Sequence, residues 1–215
     1  MLKCLVIYKP ISVALKLPYS YYLNPDAVFL AKDLLGKVLF TELDGEVTAG
    51  IIVETEAYFG IQDKASHAYG GRRTDRTEIM YSPGGVSYVY LCYGIHHLFN
   101  IVSSVQDEPH AILIRAIEPL VGKEIMELRR NMPATKAAIS SGPGSAAKAL
   151  GIDRSFNKKD LTGDEIWLED HHIRYAPEEI AATPRVGIAY AQEDAFLPWR
   201  FFVKGNKYVS KPNKI

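Results

Sequence analysis

The chain has 215 residues, 47% of them hydrophobic, and its 25 basic residues balance 25 acidic ones to a net charge of zero. That length and apolar content fit one large core. The neutral balance gives no sign of a polyanion partner and does not exclude one, because binding depends on where charge clusters. Two distant cysteines, Cys4 and Cys92, exclude a disulfide framework and a CxxC zinc pattern, which fits a reducing cytoplasm.

The apolar run at residues 5–8 is broken by Lys9 and Pro10 and is too short for a signal-peptide core or a membrane span. Residues 1–20 are expected to form an N-terminal extension that adds a strand. After Pro25, the apolar positions Ala27, Val28, Leu30, Ala31, Leu34 and Leu35 have helical spacing, with Gly36 as the stop. The stretch KVLFTELDGEVTAGIIVETEAY, residues 37–58, reads as a hairpin turning at Asp44-Gly45. Regular alternation there puts Glu54, Glu56 and Tyr58 on one face and Val53, Thr55 and Ala57 on the other. That pattern has two readings: a strand with one wet side, or a catalytic carboxylate beside a stacking platform.

Residues 60–85 form a long polar connection, and a loop of that length in a compact domain is usually functional or mobile. Strands are predicted at SYVYLCYG, NIVSSV and AILIRAIEP, and a helix at GKEIMELRRNM. A second loop spans residues 133–144 and a short helix 145–150. Past a turn at residues 161–164, strands are predicted at EIWLED, RVGIAYA and WRFFVKG. Strands outnumber helices and hairpin joins outnumber βαβ units, so the fold class is α+β with antiparallel sheet.

Several constellations could carry chemistry. SYVYLCYGIHHLFN places Tyr88 and Tyr90 on one strand face, with Tyr93 just beyond where Gly94 bends the chain. The loop GGRRTDR offers Arg72, Arg73 and Arg76 beside two glycines, and guanidinium forks match phosphate oxygens. Rings beside a basic loop suit a base-binding pocket. Taken singly, the tyrosines also read as core packing and the arginines as a solvated loop. Cys92, His96 and His97 match no common zinc spacing, so no metal is expected. His171 and His172 read as surface residues. Arg115 lies in an apolar strand, where it needs a partner; either Glu118 or an active-site carboxylate could serve.

These pieces, in this order, resemble the alkyladenine (3-methyladenine) DNA glycosylase family. The resemblance rests on LAKDLLGKVL, GIIVETEAYFG, ASHAYGGR, YVYLCYGIHHLFN, AILIRAIEP, SGPG, ALGI, PRVGIAYA and RFFVKG, and runs from about Tyr21 to Ser210. It implies a DNA glycosylase domain at residues 21–210 and a tail at 211–215. The implied fold is one compact α+β domain, a curved antiparallel sheet surrounded by helices, like the C-terminal domain of formyltransferases. The implied activity is base-excision repair: damaged purines are flipped from duplex DNA and their N-glycosidic bond is hydrolysed, leaving an abasic site. By position, Glu56 falls on the family's general base. Tyr58, His67 and Tyr90 fall on base-pocket residues, Asn100 on a residue disfavouring guanine, and Tyr93 on the ring that enters the duplex. Arg115 and the Val186 carbonyl fall on positions holding the attacking water. Arg72, Arg73, Arg76 and Lys148 are expected to meet the DNA backbone, and Glu54 to be structural.

The sequence departs from the family pattern at Asp75, Thr77 and Ser145, near the expected DNA track, and at His96 and His97. No cofactor and no membrane association are expected. The expected state is a monomer on damaged double-stranded DNA, cytoplasmic and nucleoid-associated in a bacterium or nuclear in a eukaryote. Two other readings are a zinc-dependent hydrolase using Cys92, His96 and His97, and a nucleic-acid-binding module without catalysis.

Overall fold

A computed structural model describes residues 15–212. The strand expected from residues 5–8 lies outside the described residues, as does Cys4. The first described strand is β1 (Leu15–Lys16), followed by a helical turn, α1 (Tyr19–Tyr22). Helix α2 (Ala27–Asp33) starts at Asp26, whose carboxylate accepts the Phe29 N–H at 2.8 Å, and the chain turns back through Gly36 at φ +91°.

The predicted hairpin is β2 (Val38–Leu43) and β3 (Glu46–Phe59). Asp44 and Gly45 both take positive φ, 55° and 82°, as a type I′ turn requires. Strands β4 (Ser87–Cys92), β5 (His96–Ser103) and β6 (His110–Val121) follow, then α3 (Lys123–Arg130) and α4 (Pro143–Ala149). Strands β7 (Ile166–Asp170), β8 (Ile180–Thr183) and β9 (Arg200–Val203) complete one antiparallel sheet. Its order is β1-β7-β2-β3-β6-β5-β4, with β9 joining β3 and β8.

The long strand β3 changes partner along its length. Residues 46–51 pair with β2, and Glu54, Thr55 and Glu56 pair with β9, while β6 runs along the opposite edge. The register with β6 slips around Glu54: Glu54 faces Ala116 and Thr55 faces Ile114, so Arg115 bulges out of the ladder. Such a bulge bends a strand and re-aims a side chain. Helix α2 packs on β3 and β6, and α4 on β5 and β6. Between them lies the main core, with Ile52, Ile112, Ile117 and Phe202 all buried.

This arrangement corrects three sequence expectations. The Glu54–Glu56 stretch has no wet side: Glu54, Thr55 and Glu56 are all fully buried, because sheet neighbours flank them and both faces are covered. The second short helix starts at Pro143 rather than 145, since proline is pre-set for a first helical turn. Residues 185–191 do not form a strand. They run as a loop into a 3-10 segment (Ala189–Phe196), with Gly187 at φ +77° and the Val186 N–H bonded to a carboxylate rather than a ladder. Strand β8, which the periodicity did not flag, pairs with β9.

Candidate active site

A cavity of about 570 Å³ opens beside the β4–β5 hairpin. Tyr58 comes to it from the end of β3, His67 and Arg76 from the long loop, and Tyr88, Tyr90 and Asn100 from the hairpin. Arg115 and Val186 also line it. The bulge at Arg115 and the loop that replaces the predicted strand at residues 185–191 bring these last two to the wall.

Glu56 lies fully buried directly behind that wall, and three lining residues bind it. Val186 donates its N–H to Oε1 at 2.8 Å, Arg115 Nη1 stands 3.2 Å from the same oxygen, and the Tyr58 hydroxyl donates to Oε2 at 2.9 Å. Burial first, and then the Glu56 charge, push the Tyr58 phenol far above its ordinary range, so its proton stays on. Each carboxylate oxygen has two lone pairs, which leaves Glu56 Oε2 able to accept a further donor.

Glu54 is held differently, by four donors from three residues. Its Oε1 accepts from Arg115 Nε at 2.7 Å, Arg200 Nε at 2.8 Å and the Ser210 hydroxyl at 2.8 Å; its Oε2 accepts the Ser210 N–H at 2.7 Å. It is a structural counter-ion. Glu118 is not the partner of Arg115; it accepts from Asn206 Nδ2 at 2.7 Å.

His67 Nδ1 lies 2.8 Å from the Tyr88 hydroxyl, and its ring meets Tyr90 edge-on with centroids 4.8 Å apart. Burial, with Arg76 and Arg72 nearby, lowers the imidazole to about 4, so it is neutral at physiological pH. Asn100 is buried and donates Nδ2 to the Tyr88 carbonyl at 3.1 Å. Burial also raises the Tyr90 phenol.

Tyr93 is 88% exposed at the tip of the hairpin, in left-handed backbone at φ 51° followed by Gly94 at 73°. The four basic residues expected at DNA separate. Arg72 is exposed and lines a second groove adjoining the cavity. Arg73 is held by Glu78 and Asp107. Arg76 lies over the Tyr90 ring at 4.8 Å, with Nε 3.3 Å from the Tyr88 hydroxyl, at the pocket rather than away from it. Lys148 projects from the exposed side of α4. Asp75 is exposed, Thr77 is buried and bonds within its own loop, and Ser145 accepts from Arg130 at 3.0 Å.

The zinc reading loses its ligand set. Cys92 and His96 are cross-strand neighbours, but among the described residues no three His, Cys, Asp or Glu side chains are grouped to hold a metal. His172 is exposed as expected, whereas His171 is only partly exposed and lies 2.8 Å from Glu169.

The sequence reading missed Asp63, Arg185, Tyr190, Arg200 and Ser210. Asp63 and Arg185 form a fully buried ion pair, Arg185 Nη2 donating to Oδ1 at 2.8 Å, and the guanidinium lies 4.8 Å over the Tyr58 ring. A usable signal existed: Arg185 immediately precedes Val186 and stands in an apolar run, as Arg115 does. Nothing local marks Ser210 or Asp63.

Comparison with known proteins supplies the identification. The methylpurine-DNA glycosylase (MPG) family model matches residues 21–207. A Chlamydia abortus protein is 49% identical over 87% of this chain and 97% of its own length; it is named "Putative 3-methyladenine DNA glycosylase". Proteins of the same name from Chlamydia felis and Desulfitobacterium hafniense are 47% and 43% identical, over 93% and 88% of this chain and 100% and 96% of their own lengths. Among the described residues no helix is long and apolar enough to cross a membrane. With the family matched over nearly the whole sheet and its cavity, the chain belongs to the methylpurine-DNA glycosylase family and is a DNA glycosylase of base-excision repair, with DNA as its substrate.

Proposed function

We propose that the enzyme flips alkylated or deaminated purines, of the 3-methyladenine, 7-methylguanine, hypoxanthine and ethenoadenine class, out of duplex DNA. It hydrolyses their N-glycosidic bond with a water activated by Glu56 and leaves an abasic site. The observation that carries this reading is the buried Glu56, bound by Tyr58, Arg115 and Val186 at the wall of an aromatic cavity.

The energetics are consistent. Extruding a nucleotide costs a few kcal/mol, and stacking on an aromatic side chain returns about 1–3 kcal/mol per base. Tyr58 and Tyr90 offer that stacking, and Tyr93, exposed at the hairpin tip, suits the gap left in the duplex. An N-alkylated purine carries positive charge, so its attraction to tyrosine faces favours it over a normal base by about 0.5–2 kcal/mol. The neutral His67 reads a base edge by hydrogen bonding without repelling that charge.

Bond cleavage gives a sugar with oxocarbenium character, for which glycosidases generally use two carboxyl groups. A cationic purine departs neutral and needs no acid, so one carboxylate suffices. In this reading Glu56 orients and deprotonates the water and stabilises the sugar, Arg115 and the Val186 backbone hold the water and the carboxylate, and Asn100 disfavours guanine. Among the described residues no lysine lines the cavity, which favours a monofunctional enzyme over one forming a Schiff base. Arg72 and Lys148, both exposed, supply backbone contacts, as does Arg73 once a phosphate displaces Glu78 or Asp107, and we read the protein as a monomer working at a bacterial nucleoid.

The test is release of free base from duplexes carrying methylated, etheno or hypoxanthine lesions, by wild type and Glu56→Gln. Wild type should release base from at least the methylated duplex, and the variant should bind lesion DNA while losing nearly all excision. Unchanged excision by Glu56→Gln removes Glu56 from the mechanism, and binding without any base release by wild type supports the non-catalytic rival.

A further inference from the structure

We propose that Ser210, near the C-terminal end of the described chain, is a positioning residue for the glycosylase reaction. It fixes the guanidinium of Arg115 so that one nitrogen is committed to Glu56. This rests on the assignment of Glu56 above and extends it to a segment beyond residue 207, where the family match stops.

The three guanidinium nitrogens of Arg115 have three different partners. Nε donates to Glu54 at 2.7 Å, Nη2 donates to the Ser210 hydroxyl at 3.2 Å, and Nη1 is left for Glu56 at 3.2 Å. A guanidinium beside two carboxylates can instead turn its fork onto one of them, since two parallel bonds to a single carboxylate are its strongest geometry. Glu54 is the competitor. Its Oε1 already receives the Ser210 hydroxyl and Arg200 Nε, both at 2.8 Å, and its Oε2 receives the Ser210 N–H at 2.7 Å. A fork of Nε and Nη2 on Glu54 would have to break the Nη2 bond to the Ser210 hydroxyl and share Oε2 with the Ser210 N–H. The Ser210 hydroxyl therefore acts twice, accepting from Arg115 and donating to the carboxylate that would otherwise capture it.

The segment is itself anchored for this task. Arg200 donates Nη2 to the Ser210 carbonyl at 2.9 Å and Nη1 to the Pro212 carbonyl at 2.6 Å. Ser210 is 5% exposed and Glu54 is fully buried, so solvent does not supply Glu54 with alternative donors. Arg200 also balances the second carboxylate: two arginines face two glutamates, and the charge of Glu54 is met without drawing Arg115 wholly away from Glu56.

The experiment compares wild type, Ser210→Ala, Ser210→Thr and Glu56→Gln. It measures single-turnover base release from a 3-methyladenine-class duplex, and affinity for two uncleavable abasic-site analogues. One analogue is a cationic pyrrolidine and the other a neutral tetrahydrofuran. Ser210→Ala keeps the backbone N–H bond to Glu54 and removes only the hydroxyl. We expect its excision rate to fall about tenfold, short of the ~100-fold that a full 1 Å misplacement of a reacting group can cost. Affinity for the neutral analogue should hold while preference for the cationic one drops, because Glu56 no longer faces the developing positive charge as well. Ser210→Thr, which restores the hydroxyl, should recover most of both.

Full excision by Ser210→Ala while Glu56→Gln is inactive overturns the inference and leaves the assignment of Glu56 standing. Parallel losses of excision and neutral-analogue affinity, with the cationic preference intact, also overturn it, because they mark a merely structural role. Full excision by Glu56→Gln overturns the assignment itself.

Discussion

The Tyr58 hydroxyl donates to Oε2 of Glu56 at 2.9 Å, so one side chain is both a wall of the cavity and a ligand of the carboxylate behind it. In the proposed mechanism stacking and chemistry meet in this one ring, and Tyr58→Phe separates them. The ring is kept and the hydroxyl lost, so binding of lesion duplex should be close to wild type. Excision should slow about 10- to 100-fold, since a hydrogen bond to a charged group is worth about 1.5–3 kcal/mol and, in the proposed mechanism, this one orients Glu56. Single-turnover rates beside equilibrium binding check this, and an unchanged rate would show that Arg115 and Val186 orient the carboxylate by themselves.

The burial of His67 has a consequence for stability. Its folded value is about 4 against an ordinary 6.5, so as pH falls through 6.5 the unfolded chain takes a proton that the folded protein refuses. The contribution is fully present above pH 6.5 and is lost progressively down to about 4. Two and a half units correspond to roughly 3 kcal/mol at most. Urea denaturation at pH 7 and pH 4.5 should therefore show a larger loss for wild type than for His67→Gln. Equal losses would mean that the imidazole is not desolvated. For the same reason, wild-type excision should show no His67 inflection between pH 5 and 8.

Much of the fold could be read from local pattern. Asp44-Gly45 demands positive φ at two successive residues, and only a hairpin turn uses that pair so readily. The helical spacing of Ala27 to Leu35 and the apolar runs of β5 and β6 signal their elements directly. What failed was long-range. The apolar run at 185–191 resembles a strand, yet the Val186 N–H is spent on Glu56, which stands 130 residues earlier. The burial of Glu54 depends on Arg200 and Ser210, 146 and 156 residues away, which no window of sequence joins. The bulge that aims Arg115 is likewise a product of pairing, because Arg115 alternates regularly in its own strand. The pocket positions were legible through the family resemblance, whereas periodicity gave only that Tyr88 and Tyr90 share a face.

Tyr93 projects from a three-residue hairpin loop with 88% of its surface exposed, next to Ile95 at 72%. An exposed aromatic on a left-handed residue is not packing against its own fold. Tyr93→Ala should weaken binding to a lesion-containing duplex by about 1–3 kcal/mol, the value of one stacking contact. Binding of the free modified base, which needs no gap filled, should hardly change. Fluorescence titrations with both ligands make the comparison; equal losses would place Tyr93 in the base pocket rather than in the duplex.

The Asp63–Arg185 pair fastens the segment that carries Val186. Both side chains are fully buried, and Arg185 also donates to the Ala57 carbonyl at 2.8 Å, beside Glu56 and Tyr58. Removing one member of such a pair leaves a buried charge without compensation, which costs about 3–5 kcal/mol. Asp63→Ala should lower the denaturation midpoint by a corresponding amount. It should also slow excision in the fraction that stays folded, because the Val186 N–H is no longer held against Glu56. Glu78→Ala is the control: its pair with Arg73 is about half exposed, where solvent screens the attraction, so the same melt should show no measurable change. An Asp63→Ala variant as stable as wild type would mean that other acceptors compensate Arg185, and the one available to Nη2 is the Asp194 carbonyl, already 3.3 Å away. Excision would then separate the two cases, since a guanidinium drawn toward Asp194 still displaces Val186, whereas one that keeps its place leaves the rate untouched.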